Sequence, residues 1–311
     1  MYLQLEKAFL FKPKFYRTNF DLEKSGGLSS EEIKLKTGIL KRPDIKNESI
    51  IDHCIQMLSD QNLPSQIDVC IFTTSTPDQF IPSHANTVLA RLGIKAKLCF
   101  DLNSACSGYL HALKLVFSLL SSDQSLETAL IISSDKGCSL TDPSEAKEDL
   151  IFSDGIAATL HRKSLDSGWK IIAENHSSFP ADSDLIRVPS GAFANNPARI
   201  QLNGALVYAR AVKSIQESIE QVLRNAEISI DMINYIIPHQ GNDNITKRII
   251  KNLGIDEQKV YRGIQIWGNS ISATVPTGIA IDNEKISAPG HIILTAYGAG
   301  TNVSTFLIEV K

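Results

Sequence analysis

The sequence predicts an α/β layered fold, and three observations lead there. Short apolar runs alternate with longer stretches of helical periodicity along most of the 311 residues. The runs are β-branched or apolar on both faces, as strands are when helices cover them on each side. The order of elements also recurs about halfway along, which divides the chain into two similar halves, residues 1–170 and 171–311. At 43% hydrophobic content the chain carries enough apolar surface for a core of that size.

Taken in order, Ser49–Asp60 reads as the first helix and Val69–Thr73 as the first strand. His84–Leu92 is helical and stops at Gly93, and Lys97–Asp101 is the strand that follows. The helix Cys106–Leu120 is apolar nearly all round, which predicts a central, buried position. Ala129–Ser133 and Ile156–Leu160 are strands; Ala205–Ala226 is the longest helix. Tyr235–Ile237, the helix Asn244–Leu253 and the strand His291–Thr295 complete the series. A strand, a helix, Leu-Gly-Ile and the next element occur twice, from Ile67 to Cys106 and from Met232 to Asn269. The two turn glycines, Gly93 and Gly254, are 161 positions apart, and Ile131 and Ile292 in the next apolar runs share that separation. Residues 177–204 are the longest stretch without either periodicity, read as a lid, a dimer arm or an unstructured segment. Residues 141–149 read as an exposed polar loop.

Several functions are excluded by composition. A net charge of −3 gives no reason to expect nucleic acid or an anionic membrane as partner. No uncharged apolar stretch approaches the length needed to span a bilayer. The start of the chain has no basic segment followed by an apolar run, so no signal peptide is expected. The five cysteines are odd in number and include no Cys-x-x-Cys pair, which predicts neither a disulfide framework nor a metal site. A cytoplasmic location follows as the expectation.

Chemistry concentrates at three positions. Cys106 opens the buried helix, where unpaired N–H groups and a partial positive charge favour thiolate and can receive an oxyanion. Its small neighbours Ala105, Ser107 and Gly108 leave room for a carbonyl group. Free cysteines are commonly inert core residues, and Cys54, Cys70, Cys99 and Cys138 are read that way. His239 follows an apolar strand, and Asn269 sits in a turn leading into a helix that contains Pro276. Each alone has an ordinary explanation, as a strand-end or turn residue. If a pseudo-twofold axis relates the halves, Cys106 and Asn269 fall in equivalent places. His239 then lies at the strand end matching Thr73–Thr76, and all three approach one axis. A thiol, an imidazole and an amide so gathered are the apparatus of acyl transfer.

At these residues the chain resembles the β-ketoacyl-acyl-carrier-protein synthase III family of the thiolase superfamily. The resemblance is carried in order by Arg17–Glu23, Lys36–Ile39, Ile81–Ser83, Asp101–Leu113, Phe152–Gly155, Ile237–Gln240, Gly268–Asn269 and Tyr297–Gly300, over essentially the whole chain. It implies the five-layered αβαβα thiolase fold and a homodimer. It also implies that Cys106 takes an acyl group from a thioester. A malonyl-type thioester then loses CO₂ while His239 and Asn269 stabilise the enolate. The backbone N–H groups of Cys106 and Ala299, in the turn Gly298-Ala299-Gly300, would hold the oxyanion. No metal or redox cofactor is implied; the substrates are acyl-CoA or acyl-carrier thioesters.

Departures from the family pattern also carry information. Where coenzyme A-using members often have a stacking tryptophan this chain has Glu32, and an arginine expected before Phe152 is missing near Ala146 and Lys147. Both losses point to a specialised ketosynthase loaded from a carrier protein. An acidic carrier would dock on a basic rim, for which Arg210, Lys213, Lys247, Arg248 and Lys251 are the candidates; Phe80, Ile81 and Leu202 are candidates for the acyl tunnel. Two other readings stand beside condensation. The acyl group could pass to an alcohol or amine with His239 as general base, or the chain could be a non-catalytic subunit of a heterodimer.

Overall fold

The computed structural model describes residues 1–24, 28–141, 150–189 and 199–311. The N-terminal part runs β1 (Tyr2–Leu10), β2 (Tyr16–Thr18), α1 (Asn19–Glu23), α2 (Ser30–Thr37), β3 (Lys41–Pro43), α3 (Ile50–Leu58) and β4 (Gln66–Thr73). It continues through α4 (His84–Leu92), β5 (Lys95–Leu102), α5 (Gly108–Ser122), β6 (Thr128–Lys136) and β7 (Asp154–Ser164). The C-terminal part begins with β8 (Trp169–Ser178), β9 (Ile186–Arg187), β10 (Gln201–Leu202), α6 (Gly204–Ala226), β11 (Ile233–Pro238) and α7 (Asp243–Leu253). It ends with α8 (Ile264–Trp267), α9 (Thr274–Ile281), α10 (Asn283–Ser287), β12 (Gly290–Gly298) and β13 (Asn302–Val310).

Nine strands hydrogen-bond in the order β11-β12-β13-β8-β1-β7-β6-β4-β5. A single partner pair, Leu3 with Trp169, links β1 to β8, so the ladder is nearly severed into two sheets there. Three cores account for the layers. One joins α5 and α9 to strands of both sheets, including Tyr109, Leu113, Val275, Ile71 and Leu294. A second packs α3 and α4 on the outer face of the first sheet, and a third packs α6 and α7 on the outer face of the second. The result is the five-layered αβαβα arrangement. The largely apolar composition of α5 is thereby explained, since its buried side chains pack against strands of both sheets.

The repeated Leu-Gly-Ile has a backbone cause. Gly93 and Gly254 end α4 and α7 in the left-handed region, at φ 69° and 65°, where a Cβ is unfavourable. Strands β1, β8 and β13 were not expected. In β1 and β8 apolar positions alternate with Gln4, Glu6, Lys7, Lys170 and Glu174, so they lack the continuous apolar runs that marked the other strands. The stretch 177–204 is also more ordered than expected. β8 extends to Ser178, a 3₁₀ turn covers Pro180–Leu185, and β9 pairs with β10. Residues 190–198 of that stretch, and 142–149 of the polar loop with Ala146 and Lys147, lie outside the described residues. Among the described residues no helix is long and apolar enough to cross a membrane.

Candidate active site

Two turns of the same kind lead into α5 and α9. After β5, Ala105 takes φ 45° and starts a 3₁₀ turn, Ala105–Ser107, that runs into α5; Ile271 takes φ 52° and starts Ile271–Ala273, which runs into α9. In each turn an asparagine two residues earlier accepts the N–H of the left-handed residue: Asn103 from Ala105 at 3.4 Å, Asn269 from Ile271 at 3.0 Å. This corrects the expected pairing. The counterpart of Asn269 is Asn103, and the counterpart of Cys106 is Ser272. A β-branched residue such as Ile271 is strained at positive φ. The surrounding bonds hold it there.

Asn269 is fixed by its backbone. Its N–H donates to Ile151 and its carbonyl accepts from Ser153, each at 2.9 Å, like one residue of a strand laid against Phe152. Ser153 also donates to the Trp267 carbonyl at 2.6 Å. Gly268 cannot carry a side chain, since a Cβ there would lie 2.9 Å from that of Ser153 and its φ is 59°. With Oδ1 committed to Ile271, the NH₂ of Asn269 is the end left to serve as a donor.

His239 follows β11 directly, its N–H bonded to the Thr295 carbonyl at 2.7 Å. Its Nδ1 lies 2.6 Å from Thr274 Oγ1. Gly241 lies beside Nε2, where a Cβ would sit at 3.3 Å. Burial pushes the imidazole down to about 3, so the ring is neutral at physiological pH.

Cys106, His239 and Asn269 line one cavity of about 900 Å³. Cys106 packs against Leu140, Phe152 and Ile271, with Ile151, Val188 and Ile200 beside them, an apolar wall at the sulfur. Gly298 closes over the thiol's turn: a Cβ on it would lie 3.0 Å from the Cys106 nitrogen and 2.9 Å from that of Ser107. Ala299, expected to contribute an oxyanion donor, lines the same cavity.

The thiol itself departs from expectation. Burial and the negative charge of Asp135 push Cys106 up to about 12, against the lowering by its own backbone N–H. The resting group is therefore the thiol. Asp135 was overlooked in the sequence, although it lies two residues after the apolar run ending at Ser133. It accepts bonds from Ser75 N at 2.7 Å, Ser272 N at 3.0 Å and Ser272 Oγ at 2.5 Å. Burial raises its own carboxyl to about 6 in spite of those bonds. Folding thus favours its protonated form. The stability this adds is full below about 3.8 and is lost as pH rises through about 6. Cys99, read as inert, is half-exposed, and a hydrogen bond from Cys70 on the neighbouring strand lowers its thiol. Iodoacetamide is therefore expected to find Cys99 as well as Cys106. Replacing Asp135 with Asn should move the pH profile of Cys106 alkylation, read by peptide mass spectrometry, to lower pH. An unchanged profile would show that this carboxylate does not govern the thiol.

The tunnel candidates separate. Leu202 and Phe80 line the cavity, although Phe80 is 74% exposed. Ile81 is 87% exposed and is not part of the wall, although Pro77, Asp78 and Phe80 of the same loop are. The apolar wall instead comes from Leu140, Phe152, Val188 and Ile200. Of the basic candidates, Arg210 is paired with Asp182 at 2.8 Å, Lys247 with Asp243 at 2.8 Å, and Lys213 more loosely with Glu217 at 3.8 Å. Lys213 and Arg248 flank a groove between α6 and α7 that shares Tyr208 with the main cavity, and Lys251 is exposed on α7. Lys36, which was not singled out, lines the cavity too. Glu32 closes a capping box on Ser29, its Oε2 accepting the Ser29 N–H at 2.8 Å, so the position is committed to starting α2.

Asp44, Cys138 and Asp154 lie close enough together to hold a cation. The oxygens of Asp154 already accept N–H groups from Cys138 and Ile45, at 2.9 and 2.8 Å, and Arg17 stands 3.9 Å from Asp44. A guanidinium already faces the group.

Comparisons with known proteins agree with one another. The family described as 3-oxoacyl-[acyl-carrier-protein (ACP)] synthase III matches residues 100–179, and its C-terminal family matches residues 223–310. The beta-ketoacyl-[acyl-carrier-protein] synthase III of Aquifex aeolicus is 31% identical over 96% of this chain and 97% of its own length. That of Clostridium perfringens strain 13 is 32% identical over 97% of each chain. The crystal structure of the synthase III from Aquifex aeolicus VF5 superposes with a TM-score of 0.89 at 30% identity, over 99% of both chains. The priming β-ketosynthase of the R1128 polyketide pathway shares the fold, with a TM-score of 0.88 at 19% identity over 99% of this chain and 96% of its own.

Proposed function

The chain belongs to the 3-oxoacyl-[acyl-carrier-protein] synthase III family, and from that premise we propose that Cys106, His239 and Asn269 carry out a decarboxylative condensation. It is an enzyme of the acyl-transferring, condensing type. In the first half-reaction the Cys106 thiol attacks an acyl thioester. The new S–acyl bond forms, the old C–S bond breaks, and the proton ends on the departing thiol. No net charge is left on the buried sulfur, which suits a group held as thiol.

In the second half-reaction a malonyl-type thioester occupies the cavity. Its C–C bond to the carboxylate breaks, CO₂ leaves, and the electron pair delocalises onto the thioester oxygen. The Asn269 NH₂ and the His239 Nε2–H receive that oxygen. A carboxylate in either place would repel it. The carbanion attacks the acyl carbonyl on Cys106, whose sulfur departs and takes up a proton. Backbone N–H groups of Cys106 and Ala299 hold the oxyanion of the tetrahedral stage. These steps call for no metal or redox cofactor.

What supports the reading is the single cavity lined by all three side chains, with the amide oxygen and Nδ1 both engaged behind it. We further propose a carrier protein as acyl donor. Lys213, Arg248 and Lys251 would meet its acidic surface, and Glu32 supplies no ring for an adenine to stack on. A homodimer completes the proposal. Among the described residues strand β5 ends the nine-strand ladder with one side unpaired, an edge that invites pairing. Incubation with an acyl thioester and then malonyl thioester is expected to yield CO₂ and a β-ketoacyl product by mass spectrometry. Formation of only an ester or amide, from an added alcohol or amine, would favour simple acyl transfer instead.

A further inference from the structure

Thr274, the first residue of α9, touches one of the three side chains. Its Oγ1 lies 2.6 Å from His239 Nδ1 and 3.3 Å from the carbonyl oxygen of Ile271. A threonine hydroxyl has one proton to give, and a neutral imidazole carries hydrogen on one nitrogen only. Two arrangements follow. If the hydroxyl donates to Ile271, Nδ1 bears the ring hydrogen and donates to Oγ1, and Nε2 beside Gly241 is a bare lone pair. If the hydroxyl donates to Nδ1, the ring hydrogen sits on Nε2, and the cavity meets a donor.

The distances choose the second. At 2.6 Å the contact with Nδ1 is a short, strong bond, whereas 3.3 Å lies beyond the usual O–H···O range of about 2.5–3.0 Å. His239 is buried and its ring neutral, so the tautomer and not the charge decides what Nε2 offers.

We propose that Thr274 is a positioning residue that fixes the His239 tautomer, so that Nε2–H faces the thioester oxygen. The inference rests on the reading of His239 as an enolate donor and sharpens it. An Nε2 that already bears hydrogen cannot take a proton from an alcohol or amine. The same threonine therefore favours condensation and disfavours general-base acyl transfer.

The test uses the full-length protein labelled with ¹⁵N-histidine, with the His239 signals identified by their loss in His239→Ala. At neutral pH, Nδ1 is expected to show a pyridine-type shift and Nε2 a pyrrole-type shift. Thr274→Val removes the hydroxyl and keeps the branched shape. It is expected to mix the two tautomers and slow malonyl decarboxylation about 10- to 100-fold, the same range as for losing the partner that orients a metal-bound histidine. Acyl loading of Cys106 should stay within about twofold of wild type, since that step makes no use of His239. Thr274→Ser should restore both the spectrum and the rate. A pyrrole-type Nδ1 in the wild-type protein overturns the proposal, as does a Thr274→Val variant with wild-type spectrum and rate. Normal decarboxylation by His239→Ala would instead sink the enolate role, while the wild-type spectrum still reports the tautomer.

Discussion

Cys106→Ala is expected to abolish the acyl-enzyme adduct. Wild-type protein incubated with an acyl thioester should gain the mass of one acyl group, and the variant should gain none. The alternative nucleophiles are poorly placed. Neither Cys54 nor Cys138 lines the cavity, and Cys54 has no exposed surface. Cys99 reacts with alkylating agents on this account, but it sits on β5 and is not part of the cavity wall. The Ser272 hydroxyl, the positional twin of the thiol, is committed to Asp135. An adduct of wild-type stoichiometry in Cys106→Ala would refute the assignment of the nucleophile. The fold should tolerate the change, because the side chain that shrinks already borders a cavity.

His239→Ala and Asn269→Ala are expected to separate the two half-reactions. Each should load an acyl group nearly as wild type does, yet lose about 100- to 1,000-fold in malonyl decarboxylation, the range for removing one preorganised donor to an oxyanion. The two losses should not multiply in the double variant, since both donors serve one oxygen. Release of ¹⁴CO₂ from labelled malonyl thioester measures the second step, and intact mass measures the first. Full decarboxylation by both single variants would leave the enolate without its stabilisers. For Asn269 there is a structural complication. Its Oδ1 supports the left-handed Ile271, so alanine also releases the turn. Asn269→Asp keeps the oxygen that accepts the Ile271 N–H and removes the donor, and it should be at least as damaging.

Much of this was legible in the sequence because it depends on local composition. The apolar girth of α5, the paired Leu-Gly-Ile turns and the family segments around Cys106, His239 and Asn269 are contiguous strings with direct physical meaning. The strands β1 and β8 were missed because their charged residues break the apolar run while the remaining positions still pack inward. The apolar wall at the sulfur was missed because Leu140, Phe152, Val188 and Ile200 come from separate segments and meet only in three dimensions. Ile81 differs for the converse reason, since this apolar residue inside a family segment is largely exposed and lies outside the cavity wall. The thiol's raised pKa was also beyond a linear reading. It depends first on burial and then on Asp135, which lies on β6 and accepts hydrogen bonds from Ser75 and Ser272 of the two halves. The equivalence of Cys106 with Ser272 and not Asn269 required the backbone angles at Ala105 and Ile271.

That equivalence has an evolutionary reading. A chain assembled from two like halves begins with two copies of every key position, one on each side of its axis. Here one copy keeps a reactive sulfur, and the other holds a hydroxyl whose hydrogen is absorbed by a neighbouring carboxylate. On the proposed mechanism the asymmetry leaves a single attachment point for the acyl group, and the silent copy becomes part of the seam that binds the halves.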